Sequence, residues 1–184
     1  MRLFAAVLPP EDVTAELASV VDELRSLPGA EALRWTGRPG WHFTLAFYGE
    51  VDEDFVPELS ARLEGVAGRS EPFGLAVRGG GEFGEGRALW AGVEGEVGAL
   101  RVLAERCEAV VVGEHRRYRA HLTVARSREA VEVRAYLDRL DVFAGRVWTV
   151  GEVALVRSNL PRSGVPGEQP RYEVVGRWRL GAGG

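Results

Sequence analysis

One short pattern occurs twice in this chain and limits its architecture more than any other feature. His42-Phe43-Thr44-Leu45-Ala46-Phe47 and His121-Leu122-Thr123-Val124-Ala125-Arg126 share the order His, apolar, Thr, apolar. Such alternation marks a half-buried strand. The elements around the two copies repeat as well. The first half reads as a strand at 2–8 and a helix that Pro10 opens, with Glu11 and Asp12 in its first turn and Val13, Leu17, Val20, Val21, Leu24 and Leu27 on one face. Strands at 32–36 and 42–48, a helix at 52–68 and a strand at 73–78 follow. The second half reads as a strand at 88–93, a helix at 96–110, the strand carrying His121, and a helix at 129–140 with Val133, Leu137 and Leu140 in register. Strands at 147–157 and 172–180 close the chain, separated by one long Gly/Pro/Ser-rich loop at 158–170. Helices among short alternating strands predict an α+β fold with mainly antiparallel sheets. The duplication predicts two pseudo-symmetric lobes, each a sheet with flanking helices, around a central cleft. Together they form a single domain over 1–184, with repeat units at 1–80 and 88–184.

Composition narrows the function. With 184 residues, 46% of them hydrophobic, the chain can bury a core without disulfides or a structural metal. A net charge of −4 excludes a sequence-independent coat for duplex nucleic acid, which needs an extended basic face, but leaves room for a local phosphate pocket. All 23 cationic residues are Arg, so a phosphate clamp must be a guanidinium fork, and no lysine nucleophile exists. The single Cys107 continues the apolar series Leu100, Leu103, Val110 and reads as a core thiol. The apolar run at 3–8 is too short for a secretory or membrane-spanning segment, so the expectation is a cytoplasmic protein with no membrane partner.

Period two places His42 with Thr44, and His121 with Thr123, on one strand face, about 6.5–7 Å apart. A lone strand His is commonly a structural hydrogen-bonding residue, and Thr is a good strand former. Two of only three His in matching settings point instead to chemistry. A neutral imidazole can deprotonate water while an imidazolium protonates a leaving alkoxide, and the hydroxyls can hold phosphate oxygens. A two-His metal site is the rival, yet no Asp or Glu shares the strand face near either His. The glycine-rich run at 79–86 lacks a Walker lysine and reads as a flexible hairpin connection. His115 matches neither pattern and reads as a surface residue. Arg116, Arg117, Arg119, Arg126 and Arg128 make one stretch locally basic, which suits an RNA end. Strict alternation turns Arg126 away from His121 unless the strand ends or bulges at Ala125, and Arg119, which shares the parity of His121, is the alternative. Trp41, Phe47 and Tyr48 are candidates either for stacking a base or for the core.

The chain resembles the 2H phosphoesterase superfamily, specifically the bacterial RNA 2′,3′-cyclic phosphodiesterases, first described as 2′–5′ RNA ligases. The resemblance rests on residues 2–8, Arg34-Trp35, HFTLAFYGE at 42–50, Phe83 with LWAGV at 89–93, YRAHLTVAR at 118–126, and Leu155, Ser158 and Tyr172. Ala120, where the family usually has Pro, and Tyr118, where it commonly has Phe, depart from the pattern. The resemblance implies His42 as proton donor, His121 as proton acceptor, Thr44 and Thr123 on the phosphate, and Arg126 on the substrate. It also implies a monomer with no cofactor or metal. Its substrates would be RNA ends or small nucleotides bearing a 2′,3′-cyclic phosphate, opened to a 2′-phosphomonoester, with weak 2′–5′ ligation as a side activity. The alternatives are a related enzyme acting on small cyclic nucleotides or cyclic ADP-ribose phosphate, and a non-catalytic nucleotide-binding module.

Overall fold

Two antiparallel sheets carry the molecule, and each draws strands from both halves of the chain. The computed structural model describes residues 1–111, 117–161 and 169–181. In chain order the elements are β1 (Arg2–Val7), α1 (Glu11–Arg25), β2 (Arg34–Trp35), β3 (Phe43–Glu50), α2 (Val56–Gly68), β4 (Phe73–Phe83), β5 (Ala88–Gly95), α3 (Val97–Glu108), β6 (Leu122–Arg126), α4 (Arg134–Asp141), β7 (Trp148–Val150), β8 (Glu152–Asn159) and β9 (Arg171–Arg179). One sheet has the order β3-β1-β8-β9 and the other β2-β6-β5-β4-β7. Every pairing between these strands is antiparallel.

Setting β3-β1-β8-β9 against β6-β5-β4-β7 matches the sheets strand for strand, with β2 as an extra edge on β6. Each lobe pairs a histidine strand with the first strand of its own half, and that first strand with a later strand of the other half, β8 for β1 and β4 for β5. After α2 the chain crosses to pair β4 with β5, and after α4 it returns to pair β8 with β1. The return passes through Gly151, which divides the strand expected at 147–157 into β7 on one sheet and β8 on the other. The lobes are thus locked together by exchanged strands.

One hydrophobic cluster runs under both lobes and includes Leu17 of α1, Leu59 and Leu63 of α2, Leu103 of α3, and Phe43, Leu45, Leu122 and Val124 of the histidine strands. Cys107 lies in it, fully buried, and burial pushes its thiol up to about 12, so it stays protonated. β1 is buried on both faces: Leu3, Ala5 and Val7 join the main core, while Phe4 and Ala6 pack with Ala154 and Val156. That explains its unbroken apolar sequence. Among the described residues, no helix is long and apolar enough to cross a membrane.

Two expectations from the sequence are corrected. The glycines at 79–81 do not form a flexible connection but lie within β4. A Cβ on Gly80 would sit 2.6 Å from the Trp90 carbonyl, and one on Gly81 would sit 2.3 Å from the Trp90 ring. These glycines admit close packing between β4 and β5. The helix expected from 129 begins at Arg134. The Val131 amide donates to the Glu85 carbonyl at 3.1 Å, which ties this segment to the β4–β5 turn instead of to a helical ladder.

Candidate active site

Phe43 and Leu122, each fully buried, anchor the two histidine strands and turn the flanking His and Thr to the opposite side. His42 and His121 directly precede β3 and β6. Each bonds to a carbonyl two residues back: His42 Nδ1–H donates to Gly40 O at 2.8 Å, and His121 Nδ1–H to Arg119 O at 2.8 Å. A carbonyl only accepts, so Nδ1 carries the proton in both rings and Nε2 is left free for chemistry. Gly40 packs closely under the Tyr172 ring, since a Cβ there would lie 3.0 Å from that ring and would have to displace it slightly. Aromatic rings wall both imidazoles. Phe4 and Tyr172 stand 4.7 and 5.4 Å from His42, and Phe83 and Trp90 stand 5.0 and 6.1 Å from His121, centroid to centroid.

His42, Thr44, His121, Thr123 and Arg126 line a single cleft of about 540 Å³. Neither Thr hydroxyl has a hydrogen-bond partner among the described residues. Burial pushes the His42 imidazole down to about 4, against the opposing pull of its bond to Gly40, and His121 and Arg126 push it the same way as burial does.

A bulge explains how Arg126 enters the cleft. Thr123 and Ala125 face consecutive residues of β5, Trp90 and Leu89, so Val124 is the extra residue. β3 does the same against β1, where Thr44 and Ala46 face Ala6 and Ala5 and Leu45 is extra. An extra residue reverses the alternation beyond it. Phe47 and Arg126, five positions after their histidines, therefore return to the histidine side. The bulge comes one residue earlier than the Ala125 position the sequence suggested, and its exact repetition in β3 had no signal in the sequence.

A family model described as LigT like Phosphoesterase matches residues 7–90. A Thermus thermophilus RNA 2′,3′-cyclic phosphodiesterase is 35% identical over 196 aligned positions, covering 98% of this chain and 90% of that protein. The chain belongs to the LigT-like phosphoesterase family. A Geobacillus stearothermophilus protein of the same name is 32% identical over 155 positions, or 79% of this chain, and this chain spans only 47% of that relative. The crystal structure of E. coli LigT complexed with NADP+ superposes with a TM-score of 0.77 at 25% identity, covering 98% of each chain. Other structures of that protein hold 3′-AMP or phosphate.

Within this LigT-like frame the remaining candidates separate. Arg119 holds His121 through its carbonyl, while its guanidinium lies 5.5 Å over the Phe83 ring and does not line the cleft. It lies three residues before β6 begins, where its backbone serves to hold the His121 ring. Phe47 is 67% exposed on the cleft wall and stays available to a base. Trp41 is buried with its indole N–H on Thr36 O, and the Tyr48 hydroxyl donates to Cys107 O, so both serve the core. His115 and Arg116 lie outside the described residues. Sequence reasoning gave no site role to Phe4, Phe83, Trp90 or Tyr172, which reach the histidines from other strands. Among the described residues, no three His, Cys, Asp or Glu side chains are grouped to hold a metal ion.

Proposed function

We propose that this protein opens the 2′,3′-cyclic phosphate at an RNA end to a 2′-phosphomonoester by acid–base catalysis between His42 and His121, without a metal ion. The observation that carries this reading is the shared cleft, where two imidazoles with free Nε2 atoms meet two unpartnered hydroxyls and the cationic side chains of Arg2 and Arg126. His121 Nε2 takes a proton from water as its oxygen attacks phosphorus. The bond from phosphorus to the 3′ oxygen breaks, and His42 Nε2–H delivers a proton to that oxygen, leaving a 3′-hydroxyl. Thr44, Thr123 and Arg126 hold the non-bridging oxygens, whose charge grows in the transition state. With a 5′-hydroxyl in place of water as the nucleophile, the same steps leave a 2′–5′ phosphodiester and a 3′-hydroxyl, which is weak 2′–5′ joining.

Burial holds His42 neutral at neutral pH. A donor must be protonated, so its proton has to arrive with the substrate. A phosphodiester anion against the ring supplies the opposite charge that favours the imidazolium. The nucleotides held by E. coli LigT support an occupant of this size and charge. They also favour a second reading, in which a small nucleotide and not an RNA end is the substrate.

Incubating the protein with an oligonucleotide ending in a 2′,3′-cyclic phosphate, in excess EDTA, tests the proposal. The expected product carries a 2′-phosphate and forms as fast as without chelator. Activity that vanishes in EDTA and returns with a divalent ion would replace the acid–base pair by a metal site. Turnover of small cyclic nucleotides alone would favour the second reading.

A further inference from the structure

A second groove, of about 900 Å³, opens beside the cleft. Arg126 belongs to both, and Phe83, which packs against His121, lines the groove. Arg34, Arg87 and Arg128 join Arg126 there, against the single carboxylate of Glu129. All four guanidinium side chains belong to exposed residues. Arg34 and Arg126 are direct cross-strand partners in the β2–β6 ladder. Like charges set opposite each other weaken a ladder. Neither has a hydrogen-bond or ion-pair partner among the described residues, and nor does Arg128. β2 is only two residues long, and this unfavourable pairing is half of it.

The walls are firmly built. The Ser127 amide donates to Arg87 O at 2.8 Å, and the Gly86 amide to Glu82 Oε2 at 2.6 Å. Arg87 Nη1 donates to Gly84 O at 2.9 Å, which leaves its other nitrogens free. In a chain of net charge −4, where carboxylates outnumber cations, four guanidiniums gathered around one carboxylate are adapted to an outside anion.

We infer that this groove holds the sugar–phosphate backbone of an RNA strand on the 5′ side of its cyclic-phosphate end. A 2′,3′-cyclic phosphate closes the 3′ terminus, so the chain can continue from the cleft only in the 5′ direction. The groove adjoining the cleft is where its next phosphates meet cations. The inference rests on the proposed reaction and deepens it: the substrate is a strand, not a mononucleotide.

The test compares kcat/KM for a mononucleoside 2′,3′-cyclic phosphate and a short oligonucleotide ending in the same group, across a salt series. It is paired with equilibrium binding of that oligonucleotide bearing a 3′-phosphate. The native protein should favour the oligonucleotide by roughly 10- to 100-fold, the range for charge-assisted contacts. Arg87→Ala and Arg128→Ala should each lower that ratio, and each should flatten the salt dependence of binding by about 0.7 in log–log slope. Arg128→Lys should keep the slope. Equal kcat/KM for both substrates in the native protein, or an oligonucleotide preference and salt slope unmoved in both alanine variants, would overturn the inference while leaving the proposed reaction standing. If neither substrate turns over but oligonucleotide binding still needs Arg87 and Arg128, the groove holds and the reaction is wrong.

Discussion

The two halves of the cleft are built alike and furnished differently. Each has a histidine held by a carbonyl two residues back, a threonine two residues on, a bulge at the next residue, and a side chain returned to the cleft five positions after the histidine. That returned side chain is Phe47 on one half and Arg126 on the other. Phe4 and Tyr172 help to desolvate His42, while the guanidinium on the other half opens onto the arginine groove. In the proposed reaction the duplicated frame sets where protons move, and the unequal fifth position would give the two ends of a nucleotide different surroundings, an aromatic wall for a base and a cation for phosphate.

The sharpest way to break the comparison is to remove the parts that are alike. His42→Ala and His121→Ala should each lower the rate on a cyclic-phosphate substrate by about 10²–10⁴, the range for a positioned proton-transfer group. The double variant should lose far less than the product of the two, because groups acting as a unit are not additive. Near-normal steady-state turnover in either single variant would mean that half of the cleft only binds, and the duplication would be structural.

Removing the hydroxyls is a milder change. Thr44→Val and Thr123→Val keep the β-branched shape while deleting one hydrogen bond to a charged oxygen, about 1.5–3 kcal/mol, or roughly 10- to 100-fold in kcat/KM. The halves should differ here. Thr123 shares its half with Arg126, whereas Thr44 has Phe47 at the matching position, so the loss at Thr44 should be the larger. A larger loss at Thr123 would mean that Arg126 does not share the phosphate.

Much of this was legible in the sequence, and what was not has a common cause. The strand faces of His42, Thr44, His121 and Thr123 follow from local alternation, and Phe43, Leu45, Leu122 and Val124 went to the core as that alternation required. The failures come from contacts made across the chain. The bulges arise because β6 carries one residue more than the stretch of β5 it pairs with, and β3 two more than β1, which no single segment records. Gly80 and Gly81 look like a loop until the Trp90 ring and carbonyl are set against them. The exchanged strands β4 and β8 repeat in sequence order, but their partners lie in the opposite half.

The smallest expected effect probes what separates the two histidines. Burial lowers the His42 imidazole to about 4, below the ordinary value of 6.5 that the unfolded chain keeps. As pH falls from 6.5 towards 4, the unfolded state takes up a proton at His42 that the native state refuses. Stability is therefore whole above 6.5 and declines below it, by at most about 3 kcal/mol at the low end of that window. His42→Asn should flatten this decline in denaturant titrations at pH 7 and pH 4.5. Arg126 is the last of the influences that hold His42 down, so Arg126→Ala should raise the His42 midpoint only slightly, read from its ring resonances by NMR. Inorganic phosphate in the native protein should raise it much further, since an anion in the cleft opposes both burial and the guanidinium. A midpoint that ignores phosphate would mean that the anion does not reach the ring, and that His42 could not gain its proton from the substrate.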